Sequence, residues 1–291
     1  MPQIITAGDV KERIAGYSPP KAGKTRLYCS AMRGCPERFG ERAIYIAADD
    51  GSESLGPVLM EDRERLIVIK PRPELDGPAI IGKNYDPLIE ATTCATTNWR
   101  EKYPDVGTII WDTFTKTAQE LLTSTALQER APADSSDGRV TFGKKGTPSY
   151  NVSPSRSDYG ATHNMVIHLL RHLFGQPLAV IVLFHQDWKE PKNAAEGTGI
   201  IGGPATVGKA QVEQISAMFQ AVIRQEVRRK RDKDKGMVEE YVARTQPHGF
   251  WIAGVRAPGP PMPSVGLEQD PVNFWHAYND ALSGKELVSH G

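Results

Sequence analysis

Residues 18–25 read SPPKAGKT, with a glycine, a lysine and a threonine in succession behind two prolines. The string matches the phosphate-binding pattern GxxxxGK[ST], except that Ser18 stands where the first glycine falls. Each residue type has a task in that chemistry. Gly23 lets the backbone approach a phosphate, Lys24 brings a cation to the β- and γ-phosphates, and Thr25 offers a hydroxyl to Mg²⁺. Backbone N–H groups opening the next helix complete the cradle. Ser18, Pro19, Pro20, Lys21, Ala22, Gly23, Lys24, Thr25 and Arg26 are therefore the candidate ATP-binding residues. Taken alone, the string also fits a surface turn before a helix.

A site for MgATP needs an acidic residue at the end of a neighbouring apolar strand, and VGTIIWDT supplies Asp112 there. Hydrolysis needs a further carboxylate to orient water; AIYIAADDG offers Asp49 and Asp50, with Asp49 preferred and the choice between them open. LAVIVLFHQ delivers Gln186 at another strand end, where an amide can sense the γ-phosphate and pass its state to the glycine-rich segment that follows. Thr25 and Asp112 are the Mg²⁺ candidates.

These residues require a scaffold that brings several strand ends to one edge. Short β-branched runs at 43–48, 66–70, 108–111 and 178–184 alternate with helical stretches near 24–33, 86–102, 114–129 and 159–173. That is the pattern of a parallel sheet covered by helices. A helix is expected over 209–227, then a charged hairpin tip at RRKRDKDKG, then EEYVART and GFWIAGVRA pairing antiparallel as two strands. Two long loops, 130–158 and 187–209, fit neither helix nor strand. The core thus covers 1–257, and 258–291 reads as a Pro-rich spacer with a short amphipathic helix.

The 291 residues carry 35 Lys+Arg against 35 Asp+Glu, which argues against a strongly basic nucleic-acid tail or a membrane-surface protein. No apolar run reaches the roughly 18 residues of a membrane span. The three cysteines, Cys29, Cys35 and Cys94, are odd in number and lack CxxC spacing, as expected of reduced thiols inside a cell and no structural zinc. His163, His168 and His172 have helical spacing but no HExxH glutamate, so zinc is set aside. GTGIIGG contains GxGxxG but follows no strand directly and lacks the later acidic residue, so a dinucleotide fold is set aside too.

The order AGKT, AADD, TIIWDT, VIVLFHQ, GPATVGKA and WIAGVRAPG resembles the RecA-like ATPases of phage recombination systems, often described as AAA-family ATPases. The resemblance covers about residues 14–258 and implies a RecA-like P-loop core, with a mostly parallel central sheet flanked by helices and a C-terminal antiparallel β-hairpin. It also implies a DNA-binding loop after Gln186 and a basic residue near the last strand, matched by Arg256, that reaches a neighbouring subunit's ATP. The family's hydrolytic carboxylate is usually Glu, where Asp49 stands here. The implied protein is a homo-oligomeric ATPase, a ring or a filament, working on single-stranded DNA in recombination, repair or annealing, in the cytoplasm of a bacterial host. Lys144, Lys145, Lys189, Lys192 and Lys209 in the two loops are the DNA-binding candidates. Competing readings are a nucleotide-switched adaptor with slow hydrolysis and a protein partner, a DnaB-type helicase core, and a small-molecule kinase.

Overall fold

The computed structural model describes residues 11–48, 55–70, 99–119, 121–122, 156–189, 201–207, 212–232, 236–258, 261–267 and 270–285. Six strands lie parallel in it: β1 (Arg13–Ser18), β2 (Arg42–Ala47), β3 (Leu66–Ile69), β4 (Val106–Asp112), β5 (Ala179–Lys189) and β7 (Ala221–Asp232). Their order across the sheet is β7-β1-β5-β4-β2-β3, so β5 is inserted between β1 and β4. Antiparallel additions are β6 (Ile201–Pro204) on β5, β8 (Gly236–Arg244) and β9 (Gly254–Val255) on β7, and β10 (Val265–Gly266) on β8. The fold is therefore α/β, with a mostly parallel sheet and a β7–β8 antiparallel hairpin.

Side-chain alternation sorts the strands' apolar residues onto two faces, and each face is roofed by helices. On one face Ile14, Tyr45, Ile181 and Ile223 meet α1 (Lys24–Cys29), α2 (Ala31–Gly34), α3 (Pro36–Phe39) and the late helix α8 (Val272–Leu282). A short helix, α4 (Met60–Glu64), precedes β3, and another, α5 (Trp99–Lys102), precedes β4. The opposite face packs Ala15, Ile44, Trp111 and Val182 against helical residues 114–119, α6 (Arg156–Phe174) and α7 (Val212–Ala217).

Several sequence expectations change here. Residues 209–227 do not form one helix: α7 ends at Ala217 and β7 starts at Ala221, because AVI must fill the sheet beside β1. EEYVART and GFWIAGVRA do not pair with each other; β8 and β9 both pair with β7. The span 187–209 is not all loop, since β5 continues to Lys189 and β6 returns along it, and within 130–158 helix α6 has begun by Arg156. The 258–291 segment is no detached spacer and tail: β10 joins the sheet edge, and Phe274, Trp275 and Tyr278 are fully buried in the core around α1 to α3.

Candidate functional site

The site is built where β1 ends. RIAGYS forms a buried central strand between β5 and β7, and its Gly16 is required by packing, because a Cβ there would meet the Tyr28 ring of α1 at 2.2 Å. That contact seats α1 directly on the strand, so the chain must turn within 19–23. The turn uses left-handed backbone at Lys21 (φ 63°) and at Gly23 (φ 80°), which caps α1. Gly23 is the residue type that takes this conformation without strain.

Lys24 and Thr25 open α1 and are both 9% exposed. Thr25 Oγ1 donates to Asp112 Oδ2 at 2.9 Å, across the inserted strand β5. Tyr45 Oη, from β2, donates to the same oxygen at 2.6 Å, fixing the carboxylate from the other side. Lys24 Nζ donates to Ser18 Oγ at 3.2 Å, while Ser18 Oγ sends its own proton to Pro19 O at 2.6 Å. So the residue that replaces the first glycine of the pattern is a buried hydroxyl contacting the lysine.

Both neighbours of β1 run on past its end. Ser18 lies opposite His185, and β5 continues four residues to Lys189, about 13 Å at ~3.3 Å per residue. Tyr17 lies opposite Arg224, and β7 continues eight residues to Asp232, about 26 Å by the same rise. The 18–26 loop thus sits between two antiparallel arms, β5–β6 and β7–β8, and Tyr241 of β8 comes within 3.9 Å of the Cβ position of Gly23. Thr115 ties the end of β4 to the first arm: its Oγ1 donates to Ala205 O at 2.6 Å and accepts from the His185 N–H at 3.0 Å.

The second arm carries a charge cluster at its base, on the side of the hairpin away from the exposed tip residues 229–231. Glu226 accepts from Arg224 (2.7 Å), Arg228 (2.7 Å) and Arg244 (2.9 Å), and these groups with Pro19 and Pro20 line an open cleft of about 680 Å³. Arg224 also lies over the Trp251 ring, 4.2 Å from its centroid. Tyr17 is buried beside this cluster, and its hydroxyl donates to Ile252 O. Loss of solvent raises the pKa of that hydroxyl and outweighs the opposing charge of Arg224.

The predicted residues fall into three groups. Ser18, Lys24, Thr25 and Asp112 are brought together by contact, with Pro19, Pro20, Lys21, Ala22 and Gly23 forming the loop and Arg26 following in α1. Gln186 sits half-buried in the β5–β6 arm opposite Pro204, and its side-chain oxygen finds no hydrogen-bond partner among the described residues. Arg256 lies at the opposite strand ends, where its backbone N–H donates to Gln220 O and its guanidinium to Ala217 O, so it does not meet the 18–26 loop of its own chain. Asp49, Asp50, Lys144, Lys145, Lys192 and Lys209 lie outside the described residues, as does the side chain of Lys189. Sequence reasoning missed Tyr45, Thr115 and the Glu226 cluster. Tyr45 could have been found as a residue alternating inward near the end of the strand before Asp49.

The donor set fits a magnesium nucleotide. It combines a hard carboxylate and a hydroxyl already in contact, a lysine within the same loop, and a glycine with positive φ at the head of the helix. No protein-family model matches the chain, and no curated protein matches it. Among solved structures the chain is similar to a KaiC-like protein from the hyperthermophilic archaeon Pyrococcus horikoshii OT3, with 9% identity and a TM-score of 0.33, over 79% of this chain and 77% of that one.

Proposed function

We propose that this chain is a RecA-like ATPase that binds MgATP in the 18–26 loop and acts on single-stranded DNA in recombination, repair or annealing. The observation that carries the reading is the 2.9 Å hydrogen bond between Thr25 at the start of α1 and Asp112 at the end of β4, two groups that a magnesium nucleotide needs side by side. Bound Mg²⁺ would neutralise charge on the phosphates, and Thr25 and Asp112 are the residues that would hold it. Lys24 supplies the positive charge to the β- and γ-phosphates, and the left-handed backbone at Lys21 and Gly23 is the kind of turn whose N–H groups can line an anion.

Asp49 and Asp50 follow β2, whose Ala47 lies opposite Asp112, and one of them orients the attacking water. Gln186 reads the γ-phosphate from the β5–β6 arm, and the contact to DNA runs through Lys189 at the end of β5 and Lys192 in the segment that follows. The remaining basic candidates, Lys144, Lys145 and Lys209, add further phosphate contacts. Arg256, placed away from its own loop, serves a neighbouring subunit in a homo-oligomer. The steady-state ATP hydrolysis rate, measured with and without oligo-dT, tests this. The reading predicts stimulation by DNA, no turnover in Lys24→Ala, and loss of turnover with retained ATP binding in Arg256→Ala. Hydrolysis indifferent to DNA would remove the DNA role, and normal turnover in Arg256→Ala would remove the finger.

A further inference from the structure

We infer that Gln225 is a positioning residue of the phosphate loop, one that donates a hydrogen bond to Ser18 when a nucleotide draws Lys24 away. The inference rests on the nucleotide-binding reading above and adds a residue that reading does not use. Tyr17 and Arg224 are partners in the parallel β1–β7 ladder, so Ser18 and Gln225 take the next register position on adjacent strands. Alternation places both toward α1: Ile14 and Ile223 belong to the core on that face, and each is an even number of residues from Ser18 or Gln225 on its own strand. Ser18 and Gln225 are both fully buried.

Neither the nitrogen nor the oxygen of the Gln225 amide has a hydrogen-bond partner among the described residues. A buried amide left unpaired is destabilising, and a core position on a central strand is filled at lower cost by an aliphatic side chain. The amide therefore calls for a partner in another arrangement of the loop. Ser18 is the group that needs one. Its own proton is committed to Pro19 O, so it can only accept, and its donor is Lys24 at 3.2 Å. A phosphate competes for that same ammonium, with a charge the hydroxyl lacks. When Lys24 turns to the phosphate, Ser18 Oγ keeps an acceptor lone pair on the sheet face and register row that it shares with Gln225, whose amide has two N–H groups to donate. Pairing them satisfies Ser18 and the Gln225 amide nitrogen and couples occupancy of the loop to β7, the strand that carries the Glu226 cluster.

The test uses the full chain, with mant-ATP fluorescence titrations and thermal melts of the unmutated protein, Gln225→Met, Ser18→Ala and the double variant. Methionine keeps the length of glutamine and removes the amide. The expected result for Gln225→Met is a higher melting temperature without nucleotide together with mant-ATP affinity weakened roughly three- to tenfold. In the Ser18→Ala background the same change should cost nothing further, since the acceptor is already gone. Gln225→Leu repeats the measurement with a smaller side chain in case methionine disturbs the core. Unchanged affinity in both Gln225 variants, or an equal loss with and without Ser18, would overturn the assignment while leaving the nucleotide site intact. Failure of the unmutated chain to bind mant-ATP would instead overturn the nucleotide reading and this one together.

Discussion

Asp112 accepts from Thr25 and from Tyr45 on one carboxylate oxygen, and the two donors come from opposite sides of β4 in the sheet order. The two contacts make separable predictions. Asp112→Asn keeps the shape and removes the charge, so Mg²⁺-dependent turnover should fall by roughly a hundredfold or more while the fold is retained. Tyr45→Phe leaves Thr25 in place and removes one donor from a buried carboxylate; it should lower stability by about 1 kcal/mol and turnover only severalfold. Kinetics and urea unfolding of the two variants would check this, and equal kinetic losses would show that Tyr45 does more than hold Asp112. That Thr25 and Asp112 come together was legible from residue type and position in the strand–loop–helix order. Tyr45 was not, because a tyrosine inside an apolar strand looks like core until its hydroxyl is seen to meet a carboxylate.

Among the elements, β1 and β7 were the two parallel strands the sequence hid; β1 leads into the 18–26 loop and β7 runs past it. RIAGYS has one β-branched residue and a glycine, a weak strand signal, yet the glycine is there because Tyr28 needs the space above it. AVIRQEVRRKRD has the straight-chain charged residues of a helix, but its first residues pair with β1 and its later ones with β8, so tertiary pairing overrides local preference. By contrast, the β-branched runs of β2, β4 and β5 were plain, because a strand buried on both faces has to be apolar throughout. Gly16→Ala tests the account of β1. The added methyl would overlap the Tyr28 ring, and because that ring is fully buried it cannot swing into solvent. Unfolding by denaturant should show a loss of about 1–3 kcal/mol, accompanied by weakened nucleotide binding as α1 shifts. A neutral effect on both would mean that α1 is not seated by this contact.

Across the whole molecule, the C-terminal segment is structural rather than a tail. Trp275 donates to Leu27 O at 2.9 Å and Tyr278 to Glu12 at 3.0 Å, which ties α8 to α1 and to the entry of β1. Arg33 joins the same assembly by bonding Asp62 at 2.9 Å and Asp270 at 2.8 Å. The Arg33 hydrogen bond holds the Asp270 carboxyl below the ordinary aspartate range, so its folded value is depressed relative to the unfolded chain. Such a group adds stability above the unfolded pKa, near 4, and that stability is lost as pH falls through the lower folded value. Urea midpoints measured from pH 6 down to pH 3 should therefore decline less steeply in Asp270→Asn than in the unmutated chain; identical slopes would assign the acid sensitivity elsewhere. Burial and the neighbouring Glu37 push the Cys35 thiol up to about 12, and burial raises that of Cys29 well above the ordinary thiol range, so neither is poised to react as a thiolate in the folded protein.

If Lys24, Thr25 and Asp112 form one nucleotide site, Lys24 is indispensable to it, and a mant-ATP titration in Mg²⁺ of the unmutated chain beside Lys24→Ala tests that directly. The prediction is saturable binding by the unmutated chain and none by the variant. Equal binding by both, or none by either, would contradict it.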